Sequence, residues 1–131
     1  MATQESRTNA SIIKLNVGDT IFHTKRSTLE QSPWFQSFLS SRWETCTDWQ
    51  EDGSLFIDRD AEAFKYLLNY MRHPHTYPLF WSKREDFDYG LYVKLAAEAD
   101  FFLLNDLRGW IRKGKYRDAI RTHTTIRNID L

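Results

Sequence analysis

The side chains able to ligate a transition metal are few: Cys46, His23, His73, His75 and His123. A structural zinc site draws four Cys or His ligands from closely spaced pairs. His73-x-His75 is the sole close pair in the chain, so no metal is expected. Cys46 with a distant histidine could form a nucleophile and its base. The sequence Thr45-Cys46-Thr47 supplies neither a glycine turn nor a helix start to lower the thiol's pKa, and Cys46 reads as an ordinary thiol. Glu51-Asp52 and Asp58-x-Asp60 could supply an acid and a base, yet adjacent acids flank strands routinely and no substrate cleft follows from them. A phosphate cradle needs glycines close together, and the five glycines here are scattered. The expectation is therefore no enzyme and no cofactor. One segment stands apart: in Phe56-Ile57-Asp58-Arg59-Asp60 an apolar strand ends abruptly in three charges. Asp60 could cap a following helix, with Asp58-Arg59 a local surface pair. The same charges on a rigid strand end could instead pair with their copies on a neighbouring subunit, because a head-to-tail ring needs two different, complementary patches on each protomer.

The elements that must carry these residues follow from periodicity. Ile13, Leu15 and Val17 alternate with Lys14 and Asn16, Gly18-Asp19 supplies a turn, and Thr20 to Thr24 is β-branched and aromatic, which predicts a hairpin. Ser27-Thr28-Leu29-Glu30 has the form of a capping box at a helix start. Ser32-Pro33 predicts a second helix, with Phe35, Phe38 and Leu39 on one face. Periodicity fails from Arg42 to Asp52, and after Asp52-Gly53 the run Leu55-Phe56-Ile57 reads as a third strand. The clearest helix follows Asp60, with Phe64, Leu67, Leu68 and Met71 on one stripe and Pro74 barring continuation. His75 to Lys83 reads as a loop whose Tyr77, Phe80 and Trp81 need a surface, either as a lid over the core or as a partner site. Two more helices are expected, one from Tyr92 through Leu103 and one around Leu107, Trp110 and Ile111, with a break at Asn105-Asp106. Beyond Gly114, Tyr116, Ala119, Ile120 and His123 fit a helix, while Ile120, Thr122, Thr124 and Ile126 fit a strand.

Length and composition bound the whole. The 131 residues have room for one core, and 41% hydrophobic with 27% charged residues is ordinary for a globular chain. An aromatic content of 15% suggests large rings buried in the core or at an interface. Net charge is zero but unevenly spread: residues 1–104 carry 11 basic and 15 acidic side chains, residues 105–131 carry 7 and 3. Zero net charge argues against a nucleic-acid binder. No stretch approaches the ~18 apolar residues of a membrane helix, and the polar start lacks a signal peptide's apolar segment, so no membrane contact is expected. A lone cysteine fits a reducing compartment. The expected organisation is a polar lead-in over 1–11, one domain over 12–111 and a basic tail over 112–131. Its class is α+β, a small mainly β sheet with a hairpin, covered by helices.

Several spaced motifs in register resemble one known pattern: Ile13-Lys14-Leu15-Asn16-Val17-Gly18, Phe22-His23-Thr24, Ser27-Thr28-Leu29, Asp52 through Asp60, and Phe64-x-x-Leu67-Leu68-Asn69-Tyr70-x-Arg72. Ala97-Glu98-Ala99-Asp100-Phe101-Phe102 followed by Leu107 continues it. The pattern is that of the potassium-channel tetramerisation-type BTB/POZ domain, found at the cytoplasmic start of voltage-gated channels and in soluble KCTD proteins. The resemblance implies a BTB fold, a cytoplasmic or nuclear location and self-association through a polar face, as a tetramer, a pentamer or a smaller assembly. By motif position it makes Asn16, Thr24, Thr28, Asp52, Asp58, Arg59, Asp60 and Arg72 candidates for that face. Tyr77, Phe80 and Trp81 form a candidate partner loop. The family also includes substrate adaptors that present targets to a cullin ubiquitin ligase, so cullin is an implied partner; the alternative is the assembly domain of a voltage-gated potassium channel subunit. The chain departs from the pattern at Asp19, where a second glycine is usual, and in lacking the Cys and His ligands that hold zinc between subunits of some channel members.

Overall fold

A computed structural model describes residues 12–42, 46 and 48–120. The chain enters as β1 (Ile12–Val17), reverses through Gly18-Asp19 and returns as β2 (Thr20–Lys25), paired antiparallel with Val17 opposite Thr20. Both turn residues have positive φ, +53° at Gly18 and +77° at Asp19. That is the geometry of the two-residue hairpin turn whose twist matches the strands. Gly18 is required twice over, since a Cβ there would also lie 2.5 Å from the Arg59 carbonyl oxygen. Asp19 occupies the position of the family's second glycine and tolerates it as Asp tolerates the left-handed region.

β2 runs straight into the short helix α1 (Arg26–Leu29). The predicted capping box is not formed: the helix begins before Ser27, Lys25 stands at the cap position without a side-chain bond, and Glu30 sits at the C-terminal end, 3.8 Å from Arg26. With no loop after β2, the direction of the strand and burial of Leu29 set where the helix begins. The second predicted helix, α2 (Pro33–Ser37), is capped as expected, the Ser32 hydroxyl accepting from the Phe35 N–H at 3.3 Å, and it widens into a π turn over Phe38–Arg42. The buried Ser32 hydroxyl also donates to the Phe102 carbonyl at 2.6 Å.

β3 (Leu55–Ile57) lies parallel to β1, giving the sheet order β2-β1-β3. Its outer edge is covered by the preceding segment: the Phe56 N–H donates to the Asp48 carbonyl at 2.9 Å, and Trp49 bridges to Leu55. α3 (Ala61–Arg72) buries Phe64, Leu67, Leu68 and Met71 as its periodicity requires, with the Asp60 carboxylate accepting from the Ala63 N–H at 2.8 Å. The loop after Pro74 contains a minimal hairpin that the prolines did not announce, β4 (Trp81–Ser82) with β5 (Asp86–Phe87). Two helices close the domain, α4 (Tyr89–Phe101) and α5 (Asn105–Arg112). Asp88 caps α4, so this helix starts a turn earlier than its apolar spacing suggested.

The expected break at Asn105-Asp106 is the first turn of α5 instead. The chain reverses at Leu103, φ +60°, where the Leu103 N–H donates to the Asp100 carbonyl and the Leu104 N–H to the Ala99 carbonyl. This pair of bonds is a Schellman ending with leucine in the place usually held by glycine, which is why no sequence signal marked it. α5 ends in the same way, this time on Gly114 with φ +66°. Residues 116–120 are helical; the ambiguity over the rest of the tail, like the lead-in over 1–11, falls outside the described residues.

The fold is thus α+β, with rings stacked between sheet and helices. Phe35 and Phe102 stack with centroids 5.3 Å apart, and Phe64 meets Phe102 edge-on at 5.5 Å. A second layer stacks Tyr92 on Tyr116 at 3.9 Å.

Candidate functional site

Alternation along β1 sends Ile13, Leu15 and Val17 into the core and leaves Lys14 and Asn16 on the opposite face of the sheet. A polar network forms there. The Asn16 Nδ2 donates to Gln50 Oε1 at 3.1 Å, Ser54 Oγ lies 3.0 Å from the same oxygen and 2.6 Å from Asp52 Oδ1, and Lys14 Nζ is 3.1 Å from Asp52 Oδ2. Asp52 also accepts from the Ser54 backbone N–H at 3.0 Å. The Ser54 hydroxyl, then the Ser54 N–H, then Lys14 pull the Asp52 carboxyl down to about 2, because each favours the charged form.

At the end of β3 the three charges have separate fates. Asp58 is exposed. The Arg59 Nε donates to Glu98 Oε2 at 2.8 Å, and its guanidinium lies 4.2 Å from the centre of the Phe101 ring. Asp60 caps α3 and sits 3.7 Å from Lys94. Lys94 also bonds Glu62 at 3.2 Å; that bond and the nearby Asp60 charge raise the ammonium's pKa. Arg72 reaches back to β2, donating to the His23 carbonyl at 3.4 Å. Thr24 lies opposite Ile13 in the hairpin and is buried on the core side, and Thr28 is half-buried on α1.

The eight candidates therefore fall into three groups: Asn16 with Asp52, the run Asp58 to Asp60, and Thr24, Thr28 and Arg72 on β2, α1 and α3. Sequence reading missed Lys14, Gln50, Ser54 and Glu98, which complete the first two. Lys14 was legible by alternation beside Asn16. Gln50 lay in an aperiodic stretch, and Glu98 is 39 positions from its arginine.

The aromatic loop divides. Tyr77 stacks on Trp110 at 4.8 Å, and Phe80 packs between Tyr66 at 4.7 Å and Tyr92 at 4.8 Å. The Tyr92 hydroxyl donates to the Pro78 carbonyl at 2.8 Å and accepts from the Phe80 N–H at 3.0 Å, tying the loop to α4. Burial pushes this phenol up to about 12. Tyr77 and Phe80 thus cover the core, while Trp81 is 38% exposed. Among the described residues no group of three or more His, Cys, Asp or Glu could hold a metal ion, and no helix is long and apolar enough to cross a membrane.

Comparison with known proteins places this geometry. The family model for the BTB/POZ domain matches residues 13–109. Human BTB/POZ domain-containing protein KCTD3 is 47% identical over 66 residues, which is 49% of this chain and 8% of that protein. Human BTB/POZ domain-containing protein KCTD21 is 37% identical over 98 residues, 72% of this chain and 34% of that protein. The potassium channel regulatory protein of Bos taurus is 32% identical over 102 residues, 73% of this chain and 33% of that protein. The matches thus span no more than about a third of these relatives' length. The hairpin with its paired positive-φ turn, the parallel third strand and the helices that close over them are the body of that domain, and the chain belongs to the potassium-channel tetramerisation-type BTB/POZ family.

Proposed function

We propose that this chain is a non-catalytic self-assembly and protein-interaction module. Membership of the BTB/POZ family implies protein–protein interaction and assembly; the finer reading is that copies of this chain associate with one another through polar contacts. The observation that carries it is the interlocked set Lys14, Asn16, Gln50, Asp52 and Ser54 on the sheet face that the core does not use. Charged and polar groups already held in place lose little freedom on association and specify register through complementarity. Asn16 and Asp52 belong to this face, and Asp58, Arg59, Asp60, Thr24, Thr28 and Arg72 are proposed to extend it.

Light scattering on the purified protein across a concentration series tests the proposal. A mass several times the 15.7 kDa of the chain is expected; a monomer at every concentration would overturn it. Within that role, an adaptor holding a cullin in the cytoplasm or nucleus rests on the family resemblance. Exposed Leu79 and Trp81 of the aromatic loop are candidates for that contact. Titration with a purified cullin amino-terminal domain checks it, and the absence of a complex would remove cullin from the partners.

A further inference from the structure

Between β3, α2 and the end of α4 the surface forms a cleft of about 260 Å3. Trp34, Phe38, Phe56 and Phe101 give it aromatic walls, and Asp48 and Asp58 stand on its rim. Both acids are exposed, and neither has an ion pair among the described residues. Arg59 also lines the cleft, but its charge is matched by Glu98 at 2.8 Å. The rim is therefore net negative above an apolar floor. A long cationic side chain suits both parts, with its methylene stem against the rings and its charge between the two carboxylates.

The chain itself carries such side chains. Arg112, Lys113 and Lys115 cluster at the C-terminal end of α5, all exposed and without an ion pair among the described residues. None of the three lines the cleft of its own protomer. Residues 105–131 carry the basic excess that balances the acidic excess of 1–104. We propose that the cleft receives a lysine or arginine from the Arg112–Lys115 cluster of a second copy of this chain. The contact rests on the self-assembly reading above and deepens it. It joins two different patches, so it is head-to-tail and generates a ring wherever the rotation closes.

Two variants test it, one for each patch. Asp48→Lys with Asp58→Lys inverts the rim, and Arg112→Glu with Lys113→Glu and Lys115→Glu inverts the donor. All five side chains are exposed, and unchanged circular dichroism and melting check that each variant folds. Asp48→Asn with Asp58→Asn is the milder substitute should the inverted rim fail that check. By light scattering each variant alone is expected to lose the wild-type mass, with a dissociation midpoint raised at least about tenfold. An equimolar mixture is expected to recover assembly, because the native donor of one variant meets the native rim of the other and the two inverted patches are again opposite in charge. Wild-type mass in either variant alone overturns the contact while leaving self-assembly standing, and so does a mixture that stays monomeric. A monomeric wild type overturns both.

Discussion

Asp52 is the residue on which the sheet-face network turns, since it accepts from Ser54 twice and pairs with Lys14. Its folded pKa of about 2 lies below the reference value of 3.8. A carboxyl depressed on folding contributes stability that is fully present above its unfolded pKa and lost as pH falls through the folded one. The melting-temperature difference between wild type and Asp52→Asn is therefore expected to be constant at neutral pH and to shrink from about pH 4 down to about pH 2; a difference that grows on acidification would contradict this. The Tyr92 phenol tests the opposite end of the scale. Its pKa is raised, so the tie to Pro78 and Phe80 is intact below the ordinary phenol value near 10 and is lost as pH rises through about 12. Tyr92→Phe leaves a donor and an acceptor of the loop unmet, and a loss of about 1–3 kcal/mol is expected in denaturant unfolding.

The elements offer a matched pair in the two helix endings. α4 and α5 finish with the same two hydrogen bonds, but the left-handed position is Leu103 in one and Gly114 in the other. Leucine there carries a steric cost of about 1–2 kcal/mol that glycine escapes. Leu103 is 44% exposed, so little packing is lost on its removal. Leu103→Gly is accordingly expected to raise the unfolding free energy by roughly 1 kcal/mol, reduced by the freedom that glycine adds to the unfolded chain. Gly18→Ala should act in the opposite sense and more strongly, by well over about 1 kcal/mol, because positive φ and the approach to the Arg59 carbonyl both forbid a Cβ. Chemical denaturation of the two variants beside wild type checks both signs.

For the whole molecule, the uneven distribution of charge matters more than its zero sum. An assembly held by exposed ionic contacts weakens as salt shortens the reach of charge, about 10 Å at 0.1 M and about 3 Å at 1 M. Light scattering at rising sodium chloride is expected to show the mass falling toward that of one chain, while melting of the protomer, whose core is the ring stack of Phe35, Phe64 and Phe102, changes little. A mass insensitive to salt would point to apolar contacts and away from the polar face. Lys14→Glu, which sets two negative charges against each other beside Asp52, is expected to lower the mass at low salt.

Local pattern alone determined the hairpin, the capped helices at Ser32 and Asp60, and the inward stripe of α3, because side-chain period and cap chemistry are short-range. It also carried the motifs of the family, and hence the α+β fold. Tertiary structure decided what depends on distant residues: that Glu98 holds Arg59 across 39 positions, that Gln50 and Ser54 join Asn16, and that Tyr77 and Phe80 cover the core. It also decided where α1 and α5 begin. The strand entering α1 overrode a good capping box, and the packing of Phe102 and Leu104 holds Leu103 in a conformation that its own side chain disfavours.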